Sequence, residues 1–392
     1  MTGWKDTRPS ALDPATRFAA PPDRAVLRRL HDAHCHPTDD DHFSRQALTD
    51  LDTPRFCVMS SSLTNQDKAK VVHDARPDAV IPCFGLHPWF SHPISFAPPA
   101  SLPTREDHYA ALFPPPDANR LHPTLAYLLP HLPDPVSIDL FLAQLESNLL
   151  AYPTSYVGEV GLDKAFRIPH PPALLLAAES NPLPKNSDLS TPIEHQLRVV
   201  ERQLDLAIRL GRNVSQHCVR STAETVELLD RYRRDKPGFG RIHVCLHSFG
   251  ASAETAKQIQ RRHSNVFFSF STIVSGRSPH FHKLLRAIEP DRLLVESDFS
   301  DTREIDHQIW EVFEAICQAR GWSVEEAAST LERNWDRFTR PVDERPNVDA
   351  AAPRASGKQR KREKRQVDLY VSEDDEDRPR GQLGIEGSTE GI

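Results

Sequence analysis

The chain has 392 residues, and 48 Lys and Arg stand against 55 Asp and Glu, so its net charge is −7 with histidine neutral. This balance argues against a surface that coats nucleic acid along its whole length, although a local metal site can still neutralise phosphates. The six cysteines form no CxxC pair, and no N-terminal apolar run approaches the roughly 18 residues of a membrane span or a signal-peptide core. We therefore expect a chain without structural disulfides or membrane contact, in the cytoplasm, the nucleus or both.

Short apolar and β-branched runs predict eight strands along the chain. Amphipathic segments long enough for helices separate most of them, which is the alternation of a parallel (β/α)8 TIM-type barrel in the α/β class. Such barrels commonly fold as one domain of roughly 250 residues, which leaves room for additional segments. The predicted strands end near His36, Ser60, Gly85, Gly161, His217, His247, Ser271 and Asp298.

Two helices have clear end signals. The first covers 192–210, with Thr191 as its predicted N-cap and Glu194 completing a capping box. The second begins with a capping box at Ser323 and is expected to run to about Phe338, where it closes the barrel domain.

The predicted organisation is an N-terminal extension over 1–25, a barrel domain over 26–341 and a disordered charged tail over 342–392. Two proline-rich insertions, about 91–135 and 167–190, follow strands. They should cover the catalytic rim as an irregular lid or bind another protein.

The tail carries a basic cluster at residues 358–365. Such a cluster is consistent with nuclear import or with nucleic-acid contact. A merely solvated charge run explains it equally well.

Metal-type ligands stand at the ends of five of these strands. His34 and His36 share a strand face because side chains alternate with period two. Because all the strand ends meet at the C-terminal rim where barrel enzymes build their sites, we expect one cluster there. The candidate metal ligands are His34 and His36 from strand one, Glu159 from strand four, His217 from strand five, His247 from strand six and Asp298 from strand eight.

Each candidate ligand also has a structural explanation. The His-x-His pair can be two satisfied polar residues, Glu159 between glycines can serve a tight turn, and His217 and His247 can each be core histidines. The agreement of several motifs on one rim favours the metal site.

Four further residues near these motifs are left outside the ligand set. His87 either lines the pocket or serves a turn, whereas His243 is expected to be structural, with support of a ligand from behind as the alternative. Asp163 is expected to support its loop, and Asp32 to orient the first pair of histidines.

The motifs DAHCH, GLHP, GEVGLD and ESD occur in this order. With them the chain resembles the TatD-family metal-dependent deoxyribonucleases, among the amidohydrolase-like barrels, over roughly 28–340. The resemblance implies that His34, His36 and Asp298 hold one ion, that His217 and His247 hold a second, and that Glu159 approaches both. The chain is also similar to a fungal branch described as interacting with a subunit of the anaphase-promoting complex, which suggests a cell-cycle protein as a partner.

Three departures from the family pattern surround the ligands. Arg220 stands one residue further from His217 than the family arginine does, Ala251 occupies a place where the family has glycine, and Ser300 replaces the usual proline. These changes leave open whether Arg220 reaches a phosphate.

The ligand set predicts the chemistry. Two divalent ions can acidify a water and stabilise both oxygens of an in-line displacement, with Asp298 as candidate general base and Glu159 as the second catalytic residue. The family resemblance implies hydrolysis of phosphodiesters at DNA ends, with single-stranded DNA or DNA ends as the expected substrate. The alternatives are an interaction protein that uses the barrel as a platform, and a hydrolase of another ester or of an amide. The histidines suit Zn²⁺ or Mn²⁺, whereas the family resemblance suggests Mg²⁺.

Overall fold

The computed structural model describes residues 23–40, 43–114, 122–177 and 183–345. The basic cluster, nearly all of the predicted tail and nearly all of the predicted N-terminal extension lie outside these ranges.

Eight strands form one fully parallel sheet whose neighbours follow chain order. The barrel closes between its first and last strands, where the Asp298 amide donates to the His34 carbonyl at 2.9 Å and the His36 amide to the Phe299 carbonyl at 2.8 Å. The predicted TIM-type barrel is confirmed. In chain order the strands are β1 (Asp32–Cys35), β2 (Phe56–Met59), β3 (Val80–Phe84), β4 (Ile94–Ser95), β5 (Val136–Ser137), β6 (Tyr156–Asp163), β7 (Val214–Val219), β8 (Val244–Leu246), β9 (Val266–Phe270) and β10 (Leu293–Val295), of which β4 and β5 lie outside the barrel.

Helices follow the barrel strands and pack around them. Within the described ranges, none of these helices has both the length and the apolar character needed to span a membrane. They are α1 (Arg24–Leu27), α2 (Arg45–Thr49), α3 (Gln66–Ala75), α4 (Arg105–Leu112), α5 (Pro123–Leu128), α6 (Ile138–Ala151), α7 (Pro172–Ala177), α8 (Ile193–Leu210), α9 (Thr222–Asp235), α10 (Ala253–Arg262), α11 (Phe281–Ala287), α12 (Ile305–Arg320) and α13 (Val324–Thr339).

The barrel sheet is buried on both faces because helices cover its outside and side chains fill its inside. Cys57, Ile81 and Phe267 belong to the inner cluster. Trp335 and Phe338 of α13 join the same cluster. The last helix therefore seals the N-terminal end of the barrel and leaves the C-terminal rim for chemistry.

The two predicted helix starts differ in outcome. Ser323 caps α13 by accepting the Glu326 amide at 3.2 Å, as predicted. The predicted Thr191 cap is wrong, because Pro192 occupies the N-cap position of α8 in an extended conformation and makes no side-chain cap. The buried Thr191 hydroxyl has no hydrogen-bond partner among the described residues.

The two proline-rich segments contain regular structure and share a small core. In the first, β4 pairs in parallel with β5, which directly follows the segment, and α4 and α5 lie between these two strands along the chain. Tyr109 and Leu125 from this segment pack in one buried cluster with Ile168 and Leu189 from the second. We name this combined unit, built from the described residues of 91–135 and 164–191, the accessory module.

Candidate metal centre

The six predicted ligands come together at the C-terminal rim. His34, Glu159, His217 and His247 are buried, whereas His36 and Asp298 are partly exposed. Five barrel strands supply them: β1 the first two histidines, β6 the glutamate, β7 His217, and the turns just after β8 and β10 the remaining two.

One group of donors forms around the histidines of β1. The Nε2 atoms of His34 and His36 are 3.0 Å apart. They lie 3.6 and 3.5 Å from Oε2 of Glu159, and 3.8 and 3.5 Å from Oδ1 of Asp298. Two imidazole nitrogens and two carboxylate oxygens therefore face a common point.

A second group forms at the other oxygen of Glu159. His247 Nε2 and His217 Nδ1 lie 2.8 and 2.9 Å from Oε1, and these two nitrogens are 3.2 Å apart. His87 adds its Nε2 at 3.2 Å from the same oxygen. The carboxylate of Glu159 thus stands between two imidazole groups, with one oxygen directed to each.

This donor set fits divalent cations. Neighbouring ligands of one ion at about 2.1 Å lie roughly 3 to 3.5 Å apart. The donor atoms are 3.0 to 3.8 Å apart in the first group and 2.8 to 3.2 Å apart in the second, which is close to this spacing. Imidazole nitrogens and carboxylate oxygens are also the donor types that Zn²⁺ and Mn²⁺ accept. Sets of three that can hold an ion are His34, His36 and Glu159; His34, His247 and Asp298; and His87, Glu159 and His217.

The electrostatics keep the two carboxylates charged and His34 neutral. Burial lowers the pKa of His34 to about 3. Burial alone would raise the pKa of Glu159 and Asp298, but the surrounding histidines outweigh it and hold both well below their usual range. Neutral His34 beside ionised carboxylates is the protonation state that metal binding requires. Against the burial penalty, the carboxylates of Asp298 and Glu159 raise the pKa of His36 to about 9, so this histidine would lose a proton when an ion binds.

Asp163 orients His217 from behind. Its Oδ2 accepts His217 Nε2–H at 3.1 Å and Trp89 Nε1–H at 2.6 Å, while its Oδ1 accepts the amides of Ala165 and Phe166 at 2.6 and 2.9 Å. Against the burial penalty, the bonds to Asp163 and Glu159 raise the pKa of His217 to about 10. Asp163 supports its loop, as predicted, and also fixes the ring orientation that turns Nδ1 toward Glu159.

The histidines of β1 are held in a similar way. Ser215 Oγ lies 2.7 Å from His34 Nδ1, which leaves Nε2 free to face the other donors. Asp32 accepts the His34 amide at 3.0 Å and the Ser297 hydroxyl at 2.6 Å, and so ties β1 to the end of β10. Asp32 therefore orients the first pair of histidines, as the sequence predicted.

Glu296 is a buried carboxyl that the sequence analysis did not use. Ser248 donates its amide and hydroxyl to Glu296 Oε1 at 2.7 and 2.6 Å. The Ser248 hydroxyl is also 3.0 Å from Oδ2 of Asp298. Burial raises the pKa of Glu296 to about 7. The Ser248 hydroxyl thus lies between Glu296, a carboxyl that is easily protonated, and Asp298, the candidate general base.

Glycines let the strands approach closely at this rim. A side chain at Gly161, whose φ is +147°, would overlap the His217 backbone. One at Gly85 would come within 2.8 Å of the Gly158 carbonyl carbon. The glycines of the GEVGLD and GLHP motifs therefore bring the β6 ligand toward β3 and β7.

Two other residues lie away from the ligands. His243 begins β8 at the opposite barrel end, where its Nδ1 donates to the Phe338 carbonyl at 2.9 Å, so it is structural and does not support a ligand. Arg220 follows β7 with φ +50° and an exposed side chain.

Buried imidazoles and carboxylates gathered at the C-terminal rim of a (β/α)8 barrel define a metal-dependent hydrolase. The family model described as TatD related DNase matches residues 31–340, and the chain belongs to this family. This match confirms the predicted resemblance and the predicted enzyme class.

Several relatives extend this match. The Cut9-interacting protein scn1 of Schizosaccharomyces pombe is 29% identical over 80% of this chain and 99% of its own length. A Saccharomyces cerevisiae protein named as an uncharacterized deoxyribonuclease is 26% identical over 70% of this chain and 84% of its own. The crystal structure of YJJV, a TatD homologue of Escherichia coli, shares the fold with a TM-score of 0.53 and 19% identity, over 80% of this chain and 98% of that one.

Proposed function

We propose that this chain is a two-metal phosphodiesterase that hydrolyses DNA from its ends. The observation that carries the proposal is the position of Glu159, whose two carboxylate oxygens each face a different imidazole group. One carboxylate between two such groups is the arrangement expected of a shared ligand in a two-ion site.

The proposed ions are two divalent cations, Zn²⁺, Mn²⁺ or Mg²⁺, with His34, His36 and Asp298 around one and His217 and His247 around the other. When bound, they would lower the pKa of the attacking water and stabilise charge on the phosphoryl oxygens. Asp298 would take the proton of this water at its carboxylate, since its pKa below the usual range keeps it ionised at neutral pH. Glu159 would hold the two groups at a fixed separation.

An aromatic pair formed by Trp89 and by Phe166 of the accessory module supports action on ends and single strands. Trp89 stacks on Phe166 with ring centroids 5.1 Å apart, and its ring centroid is 6.3 Å from that of His217. This pair therefore narrows one side of the rim. A segment that flanks the site in this way favours a frayed end or single strand over the middle of a duplex.

The test is cleavage of end-labelled single-stranded DNA in the presence of Mg²⁺, Mn²⁺ or Zn²⁺. Wild-type protein should shorten the labelled strand progressively, whereas the His34→Ala, His36→Ala double variant and Asp298→Asn should lose at least a hundredfold in rate. His282→Ala, which removes an exposed histidine of α11, should cleave at the wild-type rate. Cleavage that persists in Asp298→Asn would refute the assigned base, and no cleavage by metal-loaded wild-type protein would refute the nuclease.

A second candidate function is recognition of a protein partner. The similarity to the Cut9-interacting protein, which spans 99% of that relative, favours a Cut9-like protein as the partner. Purified Cut9-like protein should bind wild-type and Asp298→Asn protein equally if the barrel acts as a platform. Binding that disappears with the metal ligands would instead place the partner at the catalytic rim.

The basic cluster at 358–365 is proposed to direct nuclear import. Fusing this segment to a fluorescent reporter should concentrate the reporter in nuclei, and replacing its lysines and arginines by glutamine should abolish the effect. A reporter that stays evenly distributed would refute the proposal.

A further inference from the structure

A groove opens at the N-terminal end of the barrel, opposite the rim that carries the metal-type ligands. Its volume is about 440 Å³. The segments that precede β2, β6, β7 and β8 line it together with the chain that follows α13. We name it the N-terminal groove.

The lining of the N-terminal groove is strongly basic. Among the residues that the structure describes, Asp343 is the single carboxylate in the lining, although the whole chain carries a net charge of −7. The lining cations are Arg55, Arg209, Arg212, Arg241, Arg340 and Arg345.

Two of these arginines are fixed in place without losing their charge. The guanidinium of Arg345 donates to the Arg241 carbonyl at 2.7 Å and to the Asn213 side-chain oxygen at 2.9 Å. Arg212 donates to the Leu149 carbonyl at 3.0 Å and to the Pro153 carbonyl. These acceptors are neutral groups. Even the carbonyls at the C-terminus of a helix together carry only about half a negative charge, so most of the positive charge of the two arginines stays uncompensated.

The remaining arginines differ in their pairing. Arg209 pairs with Glu146 and Arg241 with the exposed Asp343, whereas Arg55 and Arg340 form no ion pair within the described part of the chain. The Nε atoms of Arg55 and Arg212 are buried and find no hydrogen-bond acceptor among the described residues. Positive charge without a matching carboxylate is therefore concentrated in one concave site.

We propose that the N-terminal groove binds a small anion that carries several phosphate groups. Guanidinium forks bind phosphate through two parallel hydrogen bonds, which Arg55 and Arg340 are placed to supply. Arg212 and Arg345, whose N–H groups donate mainly to backbone carbonyls, add fixed positive charge. The volume falls within the roughly 300 to 1,000 Å³ of small-molecule sites. Since the groove and the catalytic rim occupy opposite barrel ends, this anion is a ligand distinct from the substrate.

Calorimetric titration of the full-length protein with inorganic tripolyphosphate tests this site. Arg340→Glu should weaken binding at least tenfold, and the fold should survive because this exposed side chain has no hydrogen bond or ion pair within the described ranges. Arg55→Gln should also weaken it, whereas Arg105→Gln, which removes an arginine paired with Asp134 outside the groove, should not. A parallel titration with adenosine triphosphate shows whether a nucleoside adds affinity; tighter or equal binding supports phosphate recognition in either case.

Two further variants locate the binding. The His34→Ala, His36→Ala protein should bind tripolyphosphate as wild type does, and so should a protein in which the lysines and arginines of 358–365 are glutamine. Loss of binding in either of these, with Arg340→Glu unaffected, would overturn the proposal and assign the anion to the catalytic rim or to the basic cluster. Absence of binding to wild-type protein would also overturn it, because the arginines would then serve only the backbone carbonyls.

Discussion

Asp163 provides the sharpest test of how the site holds its second imidazole group. Both of its oxygens accept hydrogen bonds, from His217 and Trp89 on one side and from the amides of Ala165 and Phe166 on the other. In Asp163→Asn one of these oxygens becomes an NH2 group that must face donors. Either His217 loses its orienting acceptor or the loop loses its cap.

The expected magnitude follows from the role of such supporting carboxylates. Removing one behind a ligating histidine typically costs 10- to 100-fold in metal affinity or activity, which is about 1.4 to 2.8 kcal/mol. The Asp163→Asn protein should therefore bind Mn²⁺ or Zn²⁺ 10- to 100-fold more weakly in calorimetric titration. The metal concentration needed for half-maximal DNA cleavage should rise by a similar factor.

Asp230→Asn is a matched control. Asp230 accepts His263 Nε2–H at 2.9 Å and the Arg262 guanidinium at 2.6 Å, so it too is an aspartate that receives donors on both oxygens, but it joins α9 to α10. This variant should lose stability on the order of 1 to 3 kcal/mol in urea unfolding and keep its metal affinity. Metal affinity within threefold of wild type in Asp163→Asn would refute the orienting role.

Three further predictions concern the second carboxyl, acid stability and the ions themselves. Ser248→Ala should lower kcat about tenfold with little change in KM, because Asp298 and Glu296 lose the hydroxyl between them; a change confined to KM in steady-state cleavage assays would contradict this. Burial lowers the pKa of His243 to about 3, so the unfolded chain binds the proton more tightly and stability falls as pH drops below about 6.5. In His243→Gln the side-chain amide can still donate to the Phe338 carbonyl. Between pH 7.5 and 5.5, the free energy of unfolding in urea should therefore fall by about 1 kcal/mol less in this variant than in wild-type protein. An equal fall in both proteins would exclude this histidine as a cause. Chelation of the metal should lower the melting temperature of the protein. Adding metal back at a hundred times its Kd should raise the free energy of unfolding by about 2.7 kcal/mol. A melting temperature that does not change with metal would contradict a bound ion.

The alternation of strand side chains made much of the site predictable. The rule that paired His34 with His36 also places Glu296 beside Asp298 and Ser215 beside His217. Both of these residues lie in the site, so the signal for them was present in the sequence. Ser215 escaped notice because a serine is not a typical ligand, although it fixes the tautomer of one.

Other features depend on contacts between distant parts of the chain, so the sequence left the role of His87 open between the pocket and a turn. His87 stands in the turn after β3 and reaches Glu159 only because the barrel brings β3 next to β6. The shared core of the accessory module joins Tyr109 to Ile168, residues far apart in sequence that no periodic pattern links. The error at Thr191 is of the opposite kind, because here the sequence offers a good local capping pattern that the chain does not use. Pro192 occupies the N-cap position of α8 instead, in an extended conformation.

Backbone strain at the rim shows what this geometry costs. Within the described ranges, the non-glycine residues with positive φ are Arg220, Ser248 and Asp298, and each follows a barrel strand at the catalytic end. Such conformations cost on the order of 1 to 3 kcal/mol each. The hydrogen bonds from the Ser248 amide to Glu296 and from the Asp298 amide to His34 offset part of that cost. The same hydrogen bonds fix the direction in which the Asp298 side chain projects. Backbone strain therefore lowers the stability of the barrel at the positions where the side chain of a ligand must be oriented.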